Sequence, residues 1–378
     1  MPADPLDLAK RLIACASVTP ADDGAQTVLA EALTEAGFTV HRFRTGSAPD
    51  GPVENLFAIR GTGRPFLAFA GHTDVVPPGV GWGGDPFVAE VRGDLLYGRG
   101  AVDMKGAIAA FAAAAAREAD HGGTLAFIIT GDEEGPATYG TVALIDWMHA
   151  HGHDPDMILV GEPTSAARLG DTIKIGRRGS VNMWITVPGV QGHVAYPHLA
   201  HNPVPALARI ATRLSALDLD QGNAWFQPSN LELTDLATSN DATTVFPGAG
   251  HARLNIRFND LQRGELLVER VRAIVAEEAP DATVEAKISG EAFLTQPGAL
   301  SALVTGAIEH VTGLTPELST TGGTSDARFL SKLAPTVEFG LLNATMHKLD
   351  EAVAVADLYA LTDIYAEIIR RALPPAAA

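Results

Sequence analysis

The most constraining feature of this sequence is a seven-residue apolar run that ends in consecutive acids. Residues Thr124–Thr130 read Thr-Leu-Ala-Phe-Ile-Ile-Thr, and Gly131-Asp132-Glu133-Glu134 follows directly. A continuous apolar run of this length is typical of a strand covered on both faces. Like charges at the edge of such a core repel and lose hydration, which is costly unless a cation or a shared proton compensates. The alternative is a solvated surface turn, which carries the same acids at little cost.

Four other strand-like runs are followed by side chains of the same kind. They are Phe66–Ala70 before His72 and Asp74, Leu95–Tyr97 before Asp103, Met157–Val160 before Glu162, and Thr336–Phe339 before His347. In open α/β sheets, ligands bind beyond the carboxyl ends of the strands. The five runs together therefore predict a metal site at one rim of a sheet.

Strand and helix patterns alternate through the first part of the chain. The strands expected are Asn55–Arg60, Phe66–Ala70, Thr124–Thr130 and Met157–Val160, and the helices expected are Ala25–Gly37, Met104–Glu118 and Thr138–Ala150. This order predicts an α/β/α sandwich with a largely parallel sheet.

The pattern changes after Arg178. The elements expected in order are strand Val181–Val187, helix Pro203–Ala216, strands Leu231–Ala237 and Ala252–Phe258, helix Leu261–Glu278 and strand Ala282–Ser289. This βαββαβ order is the ferredoxin-like unit. Strict alternation in Ala252–Phe258 places Arg253, Asn255 and Arg257 on one face. We expect a discontinuous catalytic domain, 1–179 and 292–378, and an inserted domain, 180–291, whose exposed sheet can pair with another copy.

Composition excludes several classes of protein. The 378 residues are 46% hydrophobic, and their net charge of -18 argues against nucleic-acid and anionic-membrane partners. No run is long enough to span a membrane. The single cysteine, Cys15, excludes an internal disulfide framework and favours a reducing, cytoplasmic setting. Leu8 and Leu12 fit an amphipathic helix better than a secretory signal, with Cys15 as a small buried residue of that helix.

The donor set indicates which metal chemistry to expect. Two histidines and three carboxylates without thiolates suit Zn²⁺ and tolerate Co²⁺ or Mn²⁺. A site with two ions ~3.5–4 Å apart needs a bridging carboxylate, for which Asp103 is the natural candidate. Asp74 is placed to orient the imidazole of His72, although a turn-capping role is an equally good interpretation.

The two adjacent glutamates should have different roles. Adjacent residues at a strand end point to opposite sides, so Glu133 and Glu134 are not expected to bind the same ion. One should be a ligand, and the other a general base for a water molecule activated by the metal.

The chain resembles the co-catalytic dizinc amidohydrolase and aminoacylase family of metallopeptidases. The motifs that carry the resemblance are Gly71–Asp74, Gly98–Gly106, Thr130–Gly135 and Gly161–Thr164. Further matching segments, over almost the whole length, are Gly170–Ser180, Gly189–Leu199, Phe226–Asn230, Thr321–Asp326 and Asn343–Lys348. The match is close to the members that remove succinate from N-succinyl-L,L-2,6-diaminopimelate.

The resemblance implies roles for individual residues. His72, Asp103 and Glu162 would hold one zinc ion, and Asp103, Glu134 and His347 the other, with Glu133 as the catalytic base and a cis Asp103–Met104 peptide bond. It also implies a homodimer formed through the inserted domain, in which His193 stabilises the oxyanion in the partner's site; the alternative for His193 is an ordinary polar-loop histidine. Asp74 would join Glu133 and His193 in the catalytic set. The implied contacts to a small anionic amino-acid substrate are Arg178, Ser180, Tyr196, Thr244, Arg257, Gly323, Thr324 and Asn343.

One position departs from the family pattern. The family usually has asparagine just before Val-Ile-Pro in the insert, whereas this chain has Thr244 before Val245-Phe246-Pro247. Threonine keeps a hydroxyl but lacks the amide donor, which puts a substrate contact there in doubt.

The expected reaction is hydrolysis of the substrate amide to L,L-diaminopimelate and succinate. The first alternative is a related dizinc deacylase, such as an N-acetylornithine deacetylase or an aminoacylase. A more remote alternative is a non-catalytic metal-binding scaffold, because fold does not imply function.

Overall fold

The computed structural model describes residues 4–375, and the chain divides into two compact units. Of the described residues, the first unit comprises 4–175, 295–319 and 325–375, and the second comprises 176–294 and 320–324. The first and last residues of the second unit's main segment pair with each other, because Gly176–Arg177 and Phe293–Leu294 form a two-stranded antiparallel sheet. The second unit therefore extends a few residues beyond the predicted 180–291, and it includes Gly323 and Thr324, which the sequence placed in the catalytic domain.

The first unit contains most of the regular elements. Its helices are α1 (Pro5–Ile13), α2 (Ala25–Glu35), α3 (Lys105–Arg117), α4 (Thr141–Ala150), α7 (Ala299–Thr312), α8 (Ala327–Leu330) and α9 (Val355–Ala372). Its strands are β1 (Thr39–Thr45), β2 (Val53–Gly61), β3 (Phe66–His72), β4 (Glu90–Arg92), β5 (Leu95–Tyr97), β6 (Thr124–Thr130), β7 (Met157–Val160), β8 (Thr172–Lys174), β17 (Glu317–Ser319), β18 (Thr336–Glu338) and β19 (Ala352–Ala354).

Eight of these strands form the central sheet, in the order β1-β2-β6-β3-β7-β18-β8-β17. Strands β6, β3, β7 and β18 are parallel, whereas β1–β2, β2–β6 and β18–β8 pair antiparallel. The sheet is thus mixed: its centre is parallel, and a further parallel pair, β8–β17, lies at one edge. All seven residues of β6 are buried, as expected for a strand covered on both faces.

Helices cover both faces of this sheet, so the α/β/α prediction is confirmed. On one face, the ring of Phe111 in α3 stacks on Phe69 of β3 with 4.1 Å between centroids, and Tyr365 of α9 packs against both. On the other face, Trp147 of α4 packs against Phe57 of β2. These aromatic contacts fix the helices over the strands that lead to the rim.

One strand of the predicted set lies elsewhere. Leu95–Tyr97 belongs to a separate three-stranded sheet, β19-β5-β4, and not to the central sheet. Asp103 therefore reaches the rim on the loop between β5 and α3. The prediction that a central strand delivers Asp103 was wrong, because a three-residue apolar run does not show which sheet it joins.

The second unit has the predicted βαββαβ core. Its elements are β9 (Gly176–Arg177), β10 (Gly179–Pro188), β11 (Gly192–His193), a 3₁₀ turn (Pro197–Leu199), α5 (Val204–Ser215), β12 (Asn230–Thr238), β13 (Val245–Phe246), β14 (Ala249–Phe258), α6 (Gly264–Glu278), β15 (Thr283–Gly290) and β16 (Phe293–Leu294). Strands β12-β14-β10-β15 form an antiparallel sheet. Alternate residues of β10 and β14 pack into a core with α5 and α6, which leaves Arg257 and its neighbours on the opposite face.

Two features of the whole chain complete the fold. None of the described helices has the length and apolar content needed to cross a membrane. Cys15 lies beyond the end of α1 and is partly exposed, so its predicted burial within that helix was wrong.

Candidate metal centre

The carboxyl ends of the parallel strands bring the predicted ligands to one edge of the sheet. β3 ends at His72, β6 ends three residues before Glu133, and β7 ends two residues before Glu162. His347 lies on a longer segment after β18, and Asp103 lies two residues before α3. The Asp103–Met104 peptide bond is cis, as the resemblance implies.

Five side chains form two groups that share Asp103. His72 Nε2 lies 3.2 Å from Asp103 Oδ1 and 3.7 Å from Glu162 Oε1. His347 Nε2 lies 3.2 Å from Asp103 Oδ2 and 2.8 Å from Glu134 Oε1. Within each group, the potential ligand atoms lie within 4.8 Å of one another. The two oxygens of Asp103 thus face different histidines, which is the geometry that a bridging carboxylate needs.

Proximity alone does not distinguish the two adjacent glutamates. His72, Glu133 and Glu134 form a third group whose potential ligand atoms also lie within 4.8 Å of one another. The expectation that one glutamate binds metal and the other acts as the base therefore stays a prediction.

The imidazole of His72 is oriented by the backbone of Asp74. Its Nδ1 lies 2.9 Å from the Asp74 carbonyl oxygen, whereas the nearest Asp74 carboxylate oxygen is 3.6 Å away. A neutral ring that donates from Nδ1 presents its Nε2 lone pair to a metal ion. We predicted this orientation from the Asp74 carboxylate, and the structure assigns the hydrogen bond to the carbonyl.

The Asp74 carboxylate has a different contact. It accepts the backbone N–H groups of Glu133 at 3.2 Å and Glu134 at 3.0 Å. Burial raises the pKa of Asp74 to about 7, although the nearby His72 opposes this effect. Asp74 therefore holds the turn that carries both glutamates against the end of β3.

The electrostatics of the rim favour a cation. Burial, followed by the charge of Glu162, raises the pKa of Glu133 well above its usual range. Burial alone would lower the pKa of His72, but the hydrogen bond with Asp103 and the charge of Asp74 raise it well above normal. The negative potential behind these shifts is one that bound cations would also satisfy.

His347 is the most exposed member of the two groups. Its side chain is 44% exposed, and its backbone has a φ of 61°. Hydrogen bonds with Asp103 and Glu134 raise its pKa to about 10. A left-handed φ is uncommon outside glycine, and such residues are often found at functional sites.

One buried acid near the rim was missed by the sequence analysis. Glu351 has no exposed surface and forms an ion pair with Arg99, with 2.7 Å between Oε2 and Nη1. It also accepts backbone N–H groups from the loop that contains Asp103. The only sequence signal was an acid four residues after His347, and nothing local linked it to a loop about 250 positions earlier.

Two predicted substrate arginines lie close together at one end of the second unit's sheet. Ser180 and Arg257 are paired opposite each other on β10 and β14. Arg178 Nη1 donates to Asn230 Oδ1 at 2.9 Å, and Asn230 is the partner of Arg257 on β12. Burial, and then the charge of Arg178, lowers the pKa of Arg257. Across residues 4–375, neither Arg178 nor Arg257 forms an ion pair, so two half-buried cations are available to an anion.

Three other predicted residues share one loop region of the second unit. His193 of β11 pairs with Val245 of β13, and Val194 N donates to the carbonyl of Thr244 at 3.0 Å. His193 Nδ1 accepts the backbone N–H of Ala195 at 3.1 Å, which leaves Nε2 as the protonated nitrogen of the neutral ring. Tyr196 is 56% exposed, with its ring 5.8 Å from that of His193.

The remaining predicted contacts are divided between the units. Gly323 is exposed in the second unit, and the buried Oγ1 of the adjacent Thr324 has no hydrogen-bond partner among the described residues. Asn343 is exposed in the first unit, and its backbone N donates to the carbonyl of Ser165 at 3.0 Å.

Comparisons with known proteins are consistent with this geometry. Residues 68–371 match the model of peptidase family M20/M25/M40. A succinyl-diaminopimelate desuccinylase from Rhizorhabdus wittichii is 72% identical over 370 residues, covering 98% of each chain. Another from Sphingopyxis alaskensis is 62% identical, covering 97% of this chain and 98% of its own. Among solved structures, a tripeptidase from Staphylococcus aureus is 19% identical and superimposes with a TM-score of 0.80, covering 97% of each chain.

Proposed function

Because this chain belongs to peptidase family M20/M25/M40, we propose that it is a metal-dependent amidohydrolase that removes succinate from N-succinyl-L,L-2,6-diaminopimelate. The observation that carries this proposal is the 72% identity, over 98% of both chains, to a protein named succinyl-diaminopimelate desuccinylase. The two ligand groups that share Asp103 support the metal-dependent part of the proposal. The products would be L,L-diaminopimelate and succinate.

We propose two Zn²⁺ ions per chain, with Co²⁺ or Mn²⁺ as functional substitutes. His72, Asp103 and Glu162 would hold one ion, and Asp103, Glu134 and His347 the other. The donor set fits these metals because it contains imidazole and carboxylate without thiolate. When bound, two such ions polarise a substrate carbonyl and lower the pKa of water.

Glu133 is the proposed general base. Its carboxylate lies in the rim, close to the ligands of both groups, and its pKa is raised by burial and by Glu162. A raised pKa suits a group that must first accept a proton from water and then return it to the leaving amine. Asp74 supports this role by holding the backbone of Glu133 in place.

His193 is proposed to stabilise the oxyanion from the partner subunit of a homodimer formed through the second unit. Two features support the proposal. The ring is exposed in its own chain, and the hydrogen bond from Ala195 N to Nδ1 leaves the N–H of the neutral ring at Nε2. An oxyanion needs such a preorganised donor.

Substrate carboxylates would bind the second unit's arginines. Arg178 and Arg257 repel each other and lack a carboxylate partner among the described residues, and guanidinium groups match carboxylates in bidentate geometry. The unpartnered hydroxyl of Thr324 is a further donor for the substrate. With a net charge of -18, the chain as a whole repels anions, so this local pair would have to overcome that field.

A second candidate is a deacylase for another acylated amino acid, such as N-acetylornithine. Thr244, which replaces the usual asparagine, is the observation that favours it. Either activity would place the enzyme in amino-acid biosynthesis, and we propose a cytoplasmic location.

Rates on two substrates at defined zinc content test the proposal. We expect zinc-loaded protein to release succinate from N-succinyl-L,L-diaminopimelate much faster than it releases acetate from N-acetylornithine, and metal-free protein to do neither. Faster acetate release would support the second candidate instead. Failure to hydrolyse either substrate would contradict the proposed function.

A further inference from the structure

Glu351 and Arg99 form a buried ion pair beside the rim. Glu351 is fully buried, Arg99 is 2% exposed, and their charged atoms lie 2.7 Å apart. Burying such a pair costs desolvation energy, and apolar residues of similar volume often replace one without loss of stability. Fold stability alone is therefore a weak explanation for this pair.

The Glu351 carboxylate receives four hydrogen bonds from one short segment. Oε2 accepts from the Arg99 side chain at 2.7 Å and from Gly100 N at 3.1 Å. Oε1 accepts from Val102 N at 2.7 Å and from Asp103 N at 3.1 Å. Each oxygen thus accepts two hydrogen bonds. One of the four comes from the backbone N–H of Asp103, whose carboxylate faces both histidines. An ionised carboxylate can accept all four, whereas protonation would make one of its oxygens a donor that faces two other donors.

The position of Glu351 is fixed by the small sheet. Glu351 directly precedes β19, whose Ala352 pairs with Tyr97 of β5, and the loop to Asp103 starts just after Tyr97. The Glu351 carbonyl also accepts Gly98 N at 3.0 Å. The pairing of β19 with β5 therefore holds the Glu351 carboxylate against the loop that runs from Tyr97 to Asp103.

The same segment carries His347. Thr345 Oγ1 donates to the carbonyl of Ala352 at 2.8 Å and accepts its N–H at 3.1 Å, which closes the turn that contains His347 and Glu351. His347 Nε2 lies 3.2 Å from Asp103 Oδ2. Asp103 and His347 are two of the three residues proposed to hold one ion, and both are thus linked to Glu351.

We propose that Glu351 is a positioning residue for the two-metal site, fixing the backbone of Asp103 relative to His347. This inference rests on the proposed metal-dependent function. Groups that orient metal ligands in this way typically contribute 10–100-fold to metal affinity or activity. We expect the effect to fall mainly on the ion held by Asp103, Glu134 and His347.

Co²⁺ titration of metal-free protein, followed by calorimetry and by the visible absorption spectrum, tests the proposal. Glu351→Gln should weaken one of two binding steps by about 10–100-fold and shift the absorption bands. Asp350→Asn is the matched control, because Asp350 lies in the same turn but its Oδ1 accepts Gly83 N at 2.8 Å. That variant should titrate like the wild type.

Several outcomes separate this inference from the function on which it rests. Folded Glu351→Gln protein with wild-type affinities and spectrum would overturn the inference alone. If Glu351→Gln does not fold, Glu351→Asp keeps the charge on a side chain one methylene shorter. A weakened step in Glu351→Asp supports the proposal, and wild-type titration overturns it. Wild-type protein that binds no pair of ions would overturn the proposed function itself.

Discussion

The carboxylate of Asp74 accepts the backbone N–H of Glu134 at 3.0 Å, and its other oxygen accepts that of Glu133 at 3.2 Å. The residue whose carbonyl orients His72 thus also fixes the turn that carries both glutamates. These contacts tie the ends of two neighbouring strands, β3 and β6, into one arrangement of ligands.

Asp74→Asn should weaken the attachment of the turn that carries Glu133 and Glu134 to the end of β3. The amide keeps one acceptor oxygen but replaces the other with a donor, so one backbone N–H of the glutamate turn loses its partner. We expect kcat to fall about 10–100-fold, as for other groups that orient metal ligands. Asp171→Asn is the control, because Asp171 also accepts backbone N–H groups within the first unit, from residues 166–168. Wild-type kcat in Asp74→Asn would contradict the assigned role.

Patterns local in the sequence predicted much of the site. Continuous apolar runs identified the buried strands, and the residues at or just after their ends included three of the five potential ligands that the structure brings together, His72, Glu134 and Glu162, whereas Asp103 and His347 lie on longer segments. The βαββαβ order of the second unit was equally visible, because strict alternation in Ala252–Phe258 reports a half-buried strand.

Contacts between distant segments could not be predicted in this way. The three residues of β5 gave no indication that they pair with β19 instead of joining the central sheet. The burial of Glu351 against Arg99 depends on that pairing, and it has no periodic signature. The hydrogen bond from His72 to the Asp74 carbonyl was also missed, since only the side chain of Asp74 is apparent from the sequence.

His121 predicts how stability depends on pH. Arg60 Nε lies 3.1 Å from His121 Nε2, and His121 Nδ1 lies 2.9 Å from the Gly122 carbonyl, so the folded state favours the neutral ring. Burial lowers the pKa of His121; the hydrogen bond with the Gly122 carbonyl opposes this effect, and the charge of Arg60 adds to it. The contribution of neutral His121 to the free energy of unfolding is therefore fully present above the pKa of histidine in the unfolded chain, about 6.5. It is lost as the pH falls through the lower pKa of His121 in the folded state.

Urea unfolding at neutral and acidic pH measures this contribution. In His121→Gln, the amide oxygen can accept from Arg60 without titrating. We expect the wild type to lose more unfolding free energy on acidification than this variant does. Equal losses in the two proteins would show that His121 does not contribute.

Mixed dimers test whether His193 acts in its partner's site. Glu133→Ala and His193→Ala chains should each be inactive as homodimers. In the heterodimer, the site that keeps Glu133 would receive His193 from the other chain, so we expect recovery of about one active site per dimer. Absence of recovery in purified, differently tagged heterodimers would place His193 in the site of its own chain, whereas an active His193→Ala homodimer would place it outside the mechanism.

Thr244→Asn restores the amide that the family usually has. Because the contact of residue 244 with Val194 uses the backbone carbonyl, the substitution leaves the local strand pairing intact. One added hydrogen bond contributes about 1 kcal/mol, which corresponds to roughly fivefold in affinity. We expect KM for N-succinyl-L,L-diaminopimelate to fall by that factor with little change in kcat. Thr243→Asn, at the adjacent exposed position, is the control, and an unchanged KM in Thr244→Asn would exclude the contact.

The division of roles between Glu133 and Glu134 is the central claim, and distances alone leave it open because both lie near His72. Metal content and kcat measured together for Glu133→Gln and Glu134→Gln test it most directly. We predict that Glu133→Gln retains two metal ions per chain and loses at least about 100-fold in kcat, as expected for removal of a general base, whereas Glu134→Gln loses one ion. Near-normal turnover by Glu133→Gln, or loss of metal from it in place of Glu134→Gln, would contradict this account.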